Sequence, residues 1–535
     1  MSGWSLRARR PAGAPELAVV HDRDRIRPYL EDAAHFPGGH ASGLVLPASE
    51  AAVAAALASS PAVLPIGAQS SLTGGGTPMG DVLLSTARMN AIEAIGADAV
   101  RVQAGVTLAA LDEALLAAGR YYPPAPTFTG AFVGGTVATN AAGAATFKYG
   151  TTRDWVQALT IVLASGDVLD VHRGATRAHR DGYFELALAA GAVRVPVPRY
   201  TMPRLPKLSA GYFAEPGMDL IDLFIGSEGT LGIVTAATLR VVSERPSFCL
   251  VFVPFDDRMR GLQCVDRLRE ISRETRRTHD PIGIDASAIE HMDERCLSLL
   301  REDGADRASG VTIPEGTTLA LLVTLELRAG TRPEQAFDDI GRAREAGAPD
   351  SALGRFLNLL ADGSTGLDHV DIAVPGDRAR AAQLLALREA VPAAVNARIG
   401  RAQRAIDPRI EKTAADMIVP VERCGALLDF YDREFARRGL DAAVWGHISD
   451  GNVHPNVIPR SWADVESGRA AILDFGREAI RLGGAPLAEH GVGRSRTKQL
   501  LLRELYGESG IDDMRRVKRA IDPDWKLARG VIFER

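Results

Sequence analysis

Trp445-Gly446-His447-Ile448-Ser449-Asp450-Gly451-Asn452-Val453-His454-Pro455-Asn456-Val457 reads as strand, tight turn, strand. Asp-Gly is a preferred pair for a two-residue hairpin loop, because both central residues must tolerate positive φ. With Asp450-Gly451 as that loop, Ser449 pairs with Asn452, Ile448 with Val453 and His447 with His454. Directly opposite residues hold their Cβ atoms roughly 4.5–5.5 Å apart, so two imidazoles there can bind one divalent metal. The competing reading is a pair of polar strand residues on an exposed hairpin. Glu489-His490 is a second candidate cluster further along the chain.

Around this hairpin, helices and strands alternate. A strand over Phe248 to Val253 leads to a helix over Met259 to Arg273. A strand over Thr318 to Glu326 and helices near Pro333 to Ala346 and over Ala379 to Ala397 follow. A strand over Met417 to Val419 precedes Pro420 and a helix over Cys424 to Arg438; another helix covers Ala463 to Arg481. Such alternation with antiparallel hairpins argues for an α+β domain. The run Glu489 to Leu502 reads as a loop entering a helix, and Ile521 to Phe533 as a terminal strand or extended lid.

The first 240 residues are strand-dense and punctuated by glycine. A leading helix is expected over Arg27 to Ala34, with Pro28 in its first turn. Strand Gly43 to Leu46, helix Glu50 to Ser59, strand Val63 to Ile66 and strand Val82 to Leu84 follow. Between the last two lies Gly67-Ala68-Gln69-Ser70-Ser71-Leu72-Thr73-Gly74-Gly75-Gly76. Its glycines let backbone amides approach a ligand, and successive amides form an anion nest suited to a pyrophosphate. It contains no Walker A loop and no GxGxxG turn, and a plain surface loop is an equal alternative. A second small-residue stretch, Gly134-Gly135-Thr136-Val137-Ala138-Thr139-Asn140, suggests a flat ligand against backbone, or a tightly packed helix start. Strands Val156 to Leu163 and Val168 to Val171 flank Ser165-Gly166-Asp167, a hairpin signal. A third stretch, Gly226-Ser227-Glu228-Gly229-Thr230-Leu231-Gly232-Ile233-Val234-Thr235, precedes a strand over Ala236 to Val242.

Composition narrows the function classes. A chain of 535 residues exceeds one ordinary core. Net charge −5 gives no electrostatic case for nucleic acid. Cys249, Cys264, Cys296 and Cys424 form no CxxC pair, which argues against an iron–sulfur cluster or a cysteine-based zinc site and fits a reducing cytoplasm. The basic start (Arg7, Arg9, Arg10) is followed by no apolar h-region, and no stretch is long enough to span a bilayer.

These stretches together resemble the FAD-linked oxidases of the vanillyl-alcohol-oxidase/para-cresol-methylhydroxylase (PCMH) type, in the branch of D-lactate dehydrogenase, glycolate oxidase large subunit and D-2-hydroxyglutarate dehydrogenase. Pro65 to Gly75 is similar to that family's first loop. Gly134 to Ala141 with Lys148-Tyr149-Gly150-Thr151-Thr152-Arg153-Asp154 is similar to its second, and Gly226 to Thr235 to its third. The hairpin resembles Gly-His-x-x-Asp-Gly-Asn-x-His, and Glu489-His490-Gly491-Val492-Gly493 resembles Glu-His-Gly-x-Gly. The likeness spans about residues 40–535, in family order.

The resemblance implies a leader (1–40), a PCMH-type FAD-binding domain of two α+β subdomains (41–245), an α+β, ferredoxin-like cap domain with an antiparallel sheet (246–500), and a segment returning to the flavin (501–535). It implies that Pro65, Gly67, Ala68, Gln69, Ser70, Ser71, Thr73 and Gly74, with Gly134, Gly135, Thr136 and Asn140, cradle FAD. Glu228, Gly232, Ile233 and Val234 would sit near the adenosine end or run along the cofactor. Covalent members use His or Cys; neither occurs in the 65–80 loop, so non-covalent FAD is expected. Three departures stand out. Pro123-Pro124-Ala125-Pro126 lacks the family's Asp, Leu527-Ala528-Arg529-Gly530-Val531 replaces its closing Leu-Asn-Pro-Gly-Lys, and Arg173, Arg177, Tyr183, Lys207 and Tyr212 match only loosely.

Oxidising a 2-hydroxy acid needs a hydride acceptor, a base for the hydroxyl proton and cations for the carboxylate. FAD supplies the first, through N5, and a metal lowers the hydroxyl pKa. His447, His454 and Glu489 are the candidate ligands; that donor set suits Zn²⁺, with Mn²⁺ or Fe²⁺ as alternatives. His490 is the candidate base, against a capping or ligating role. Arg388 and Lys412, which match family positions, are the candidate carboxylate cations, against solvated surface. Asn452 orients a ligand or serves the turn. The expectation is a D-lactate-type dehydrogenase, with D-2-hydroxyglutarate dehydrogenase or a glycolate oxidase subunit as alternatives. Electrons then pass to an external quinone, cytochrome or electron-transfer flavoprotein. A cytoplasmic location is expected, with a peripheral place at the inner membrane face and a homodimer left open. A non-redox enzyme like alkylglycerone-phosphate synthase, a non-catalytic flavin subunit and a flavin-free metallohydrolase are the competing classes.

Overall fold

The computed structural model describes residues 3–11, 13, 17–124, 128–343, 350–362 and 369–535. Ala125, in the altered proline segment, and residues 344–346 of an expected helix lie outside the described residues. The chain divides into two compact units. One comprises 1–143, 150–243 and 486–535; the other comprises 144–149 and 244–485.

In the first unit, strands Gly43–Val45 and Val63–Ile66 both flank Val82–Ser85 in parallel. Parallel neighbours need a crossover, and helix Glu50–Ser59 lies in the connection between Gly43–Val45 and Val63–Ile66. Ser49 Oγ caps that helix by accepting the Ala52 amide at 3.2 Å, a contact worth about 1 kcal/mol. A second sheet is wholly antiparallel, in the order Ile92–Ile95, Ala99–Gln103, Ile233–Arg240, Val156–Val162, Val168–His172. One core joins the two sheets: Val45, Val63 and Leu84 meet Val162, Val168 and Ile233, with Leu57 and Leu527 beside them. Ser5–Arg7, Tyr183–Leu188 and Gly191–Pro196 make a third sheet.

The second unit is built on one antiparallel sheet of eight strands. In order these are Asp371–Ala373, Ser247–Phe255, Leu319–Leu327, Ala286–Asp293, Ala442–His447, Asn452–Val457 and Thr413–Ala414, with Met417–Ile418 also paired to Asn452–Val457. Helix Arg378–Ala405 packs Leu384, Leu387, Val391 and Val395 against Phe252, Met292 and Leu322 of this sheet. The fold is mixed α and β with antiparallel sheets, as expected.

Some local expectations are corrected. The leading segment forms a four-residue helix, Arg23–Ile26, and a 3-10 turn, Arg27–Tyr29, instead of a helix to Ala34. Asp22 caps it early by accepting the Asp24 and Arg25 amides. Asp32 then accepts the Ala34 and Gly76 amides, which draws the following residues into a turn. The hairpin register is displaced by two residues: Trp445 faces His454, and Val444 faces Pro455. A 3-10 turn, Ile448–Asp450, takes up the difference. Asp450 Oδ1 accepts the Asn452 amide at 3.2 Å, and Gly451, at φ 87°, closes the turn. A two-residue shift preserves the face, so His447 and His454 still meet, with ring centroids 5.5 Å apart. They are buried rather than exposed. The tail forms no strand. Trp525, Ala528 and Ile532 have positive φ, which breaks a ladder, and a single bridge joins Leu527 to Val63.

Candidate functional site

The three glycine stretches and the Gly491–Gly493 turn converge within the first unit. A Cβ on Gly67 would lie 3.8 Å from the Gly135 Cα, and one on Gly229 would lie 2.7 Å from the Pro65 Cγ. The Gly226 and Glu228 amides donate to the Val137 and Ala138 carbonyls at 3.0 and 2.7 Å. A Cβ on Gly493 would lie 2.2 Å from the Thr73 Oγ1. These glycines therefore let the four stretches pack closely against one another.

Not all of them serve packing. A Cβ on Gly134 would strike the Ala104 Cβ at 2.7 Å, whereas one on Gly135 would meet nothing within 4 Å. Gly232 is a packing glycine too, 2.5 Å from the Ile161 Cγ2 by the same measure. Ile233 belongs to the core, and Val234 is a strand residue opposite Ile161. The Thr136 Oγ1 is spent on the Val133 carbonyl at 2.9 Å, and Asn140 Oδ1 accepts the Arg153 amide at 3.0 Å.

The first loop is held by its own side chains. Gln69 Nε2 donates to the Tyr29 and Gly76 carbonyls at 2.8 and 3.0 Å, and Ser71 Oγ meets Thr73 Oγ1 at 3.1 Å. Its amides are otherwise unused: those of Ala68, Gln69, Ser70, Ser71, Leu72, Gly74 and Gly75 reach no protein acceptor among the described residues. Positive φ at Gln69 and Gly74 turns the chain between them. A run of free donors in such a turn fits a pyrophosphate, and the open space over Gly135 fits a flat group. The residues present therefore suit FAD.

The Glu489-His490 pair belongs to this unit. Glu489 Oε2 accepts from the buried Lys207 Nζ at 2.8 Å, and its Oε1 lies 3.3 Å from the His490 Nε2. Both carboxylate oxygens are thus engaged. Glu228, itself at φ 49°, accepts the Val492 and Gly493 amides at 2.8 Å each and so fixes the turn that follows His490. Burial raises the Glu228 pKa against the pull of those two amides.

The second unit holds the remaining candidates. His447 Nδ1 lies 2.6 Å from Glu290 Oε1, while Arg388 Nη2 and Nε donate to Glu290 Oε2 at 2.9 and 3.1 Å. Burial works to raise the Glu290 pKa, but Arg388 and His447 outweigh it and hold the carboxyl well below its ordinary range. His454 Nδ1 lies 3.5 Å from Asp416 Oδ1, and both residues are buried. Asn452 Nδ2 donates to Asp416 Oδ1 and the Met417 carbonyl at 2.9 and 2.8 Å, so Asn452 orients Asp416 besides closing its turn. Asn456 Nδ2 donates to the His454 carbonyl at 2.9 Å. Lys412 is exposed just before strand Thr413–Ala414. A buried carboxylate beside an imidazole is a donor pair that suits a divalent metal.

Three participants were given no role in the site from the sequence. Glu290 is an acid in the middle of the buried strand Ala286–Asp293, and a charge in such a run is itself the available signal. Asp416 stands just before the expected strand Met417 to Val419, four residues after Lys412. Lys207 lies in a segment of weak resemblance.

Residues 41–172 match the FAD binding domain, and residues 262–532 match the C-terminal domain of FAD linked oxidases. A D-lactate dehydrogenase of Anaerostipes hadrus is 28% identical over 483 residues, covering 88% of this chain and 84% of that protein. A D-2-hydroxyglutarate dehydrogenase of Xanthomonas citri pv. viticola is 28% identical over 495 residues, covering 91% and 87%. A solved alkyldihydroxyacetonephosphate synthase matches with TM-score 0.57 and 14% identity, over 98% of this chain and 88% of that one, a likeness of fold alone. The second match takes in half of the sequence, and the chain accordingly belongs to the FAD-linked oxidases, as an FAD-dependent oxidoreductase.

Proposed function

We propose that this protein is a dehydrogenase that converts a D-2-hydroxy acid of the D-lactate type to the 2-oxo acid. The observation that carries the proposal is the buried cluster of the second unit, where an imidazole and a guanidinium share the Glu290 carboxylate beside the Asp416–His454 pair. The relatives named D-lactate and D-2-hydroxyglutarate dehydrogenase support it. When bound, FAD supplies the acceptor for the Cα hydride, and a divalent metal supplies polarisation of the hydroxyl.

The chain's own residues take the other tasks. Arg388 is rigidly held, and its guanidinium suits a carboxylate; Lys412 adds a second cation. His490 accepts the hydroxyl proton, with Glu489 engaged by Lys207 behind it. His447, His454 and Glu489 are the proposed metal ligands, with Asp416 as a further oxygen donor and Asn452 holding it. Electrons leave to an external quinone, cytochrome or electron-transfer flavoprotein. Among the described residues no helix is long and apolar enough to cross a membrane.

Anaerobic titration of the yellow protein with D- and L-2-hydroxy acids, with and without chelator, tests this. One D-acid should bleach the flavin, and chelation should abolish the bleaching. A protein that retains FAD and is bleached by no hydroxy acid refutes the proposal.

A further inference from the structure

Glu290 stands at the centre of the second unit's sheet, and no motif pointed to it. Its strand, Ala286–Asp293, places it directly opposite His447 on one side and Leu322 on the other. Met292, two residues on and so on the same face, packs in one core with Leu384 and Leu387 of helix Arg378–Ala405. That helix brings Arg388 over the same face. The carboxylate thus meets two groups from two different elements, one at each oxygen.

We infer that Glu290 is a positioning residue that locks His447 and Arg388 into one rigid unit, fixing the tautomer of the first and the direction of the second. The inference rests on the proposal above for what His447 and Arg388 do. The chemistry follows from the donor inventory. An ionised carboxylate only accepts, so the His447 proton sits on Nδ1 and Nε2 is left with a lone pair, the form that ligates a metal or accepts a proton. A carboxylate on the far nitrogen of a ligating imidazole orients the ring and raises its basicity. On the other oxygen, Arg388 uses its Nε–Nη2 edge, which fixes the plane of the fork. With His447 neutral, the trio carries no net charge, which is why it can be buried.

The test needs no turnover. Glu290→Gln removes the charge that two Arg388 nitrogens meet in the buried network and risks misfolding, so the principal variant is Glu290→Met/Arg388→Met, which removes both charges together. Protein labelled with ¹⁵N-histidine, with His447→Gln to assign the signal, reports the His447 tautomer directly. The wild type should show His447 protonated on Nδ1, and the double variant should lose that fixed form. Zn²⁺ affinity, measured by competition with a chromogenic chelator, should fall about 10–100-fold. An unchanged His447 tautomer in the folded double variant overturns the inference, and so does unchanged zinc affinity in a protein that binds zinc. If the wild type binds no zinc and is bleached by no hydroxy acid, the functional proposal fails, while the tautomer result still decides the role of Glu290.

Discussion

Replacing Arg388 with methionine tests the buried network most directly. The change removes a guanidinium whose Nη2 and Nε lie 2.9 and 3.1 Å from Glu290 Oε2, on a side chain only 12% exposed. Glu290 then keeps its charge with His447 as its remaining polar partner among the described residues. Breaking a buried pair from one side costs about 3–5 kcal/mol. A loss of about 3 kcal/mol is therefore expected near pH 7. Urea unfolding followed by fluorescence reports it, because Trp445 and Trp462 both lie in the second unit. The pH dependence supplies the sign. In the wild type the Glu290 pKa is depressed by Arg388 and His447 against burial. Its stabilisation is therefore complete above about pH 4.5 and fades only in stronger acid. Without Arg388, burial prevails and the pKa rises above its ordinary value. The folded variant then binds a proton that the unfolded chain releases, so its stability increases as pH falls towards that value. The gap between the two proteins should narrow between about pH 7 and pH 5. KM for the acid should rise more than kcat falls. A loss below about 1 kcal/mol near pH 7, or a gap that widens on acidification, would refute the reasoning.

Gly135→Val and Gly134→Ala form a contrasting pair. The Cβ that the first adds meets nothing beyond its own helix within 4 Å, so the variant should fold while losing FAD affinity at least about tenfold, whereas the second strikes Ala104 and should lower stability by about 1–3 kcal/mol; flavin titration and thermal melts separate them, and normal FAD binding by Gly135→Val would remove that glycine from the cradle. His490→Ala should retain FAD and lose bleaching rate by about 10²–10⁴-fold; full-rate bleaching by the folded variant would dismiss it as the base. Lys518, buried and bonded to the Thr230 and Leu527 carbonyls and to Asp522, has a pKa lowered by burial to about 8. The unfolded chain therefore binds more protons above that value, and wild-type stability should climb between about pH 8 and pH 10 by up to about 1.4 kcal/mol per unit. Lys518→Met should lack that slope, and parallel pH profiles for the two proteins would exclude Lys518 as its source.

What the sequence disclosed, and what it hid, divides along physical lines. Helices Glu50–Ser59 and Cys424–Arg438 fall where expected because local signals bound them: Ser49 caps the first, and Gly439, at φ 63°, ends the second. The glycine stretches were legible because close backbone approach leaves a mark in composition. The hairpin was placed but mis-registered, since its register depends on Glu290 opposite His447 and on an Asp450 side-chain bond. Neither is visible in a strand pattern. The roles of Glu290, Asp416 and Lys207 were hidden for a related reason: each matters through a partner more than 35 positions away. Arg388 was chosen as a cation; that it is also half of a buried pair follows only from the packing of helix Arg378–Ala405 on the sheet.

The bridge between Val63 and Leu527 has a consequence for biosynthesis. Val63 exchanges backbone bonds at 2.9 Å with Lys526 and Ala528, so the edge of an early strand is completed by residues made 464 positions later. Closing a flexible loop of that length costs about 5 kcal/mol of chain entropy. The whole of 244–485 lies inside the loop, and once it is compact the effective span is far shorter. The ribosome therefore delivers the second unit before the first can be sealed. Until then Val63 and its neighbours present an open β edge, the kind that chaperones shield and that aggregates exploit. Flavin loading is on this account a late event in the life of the nascent chain.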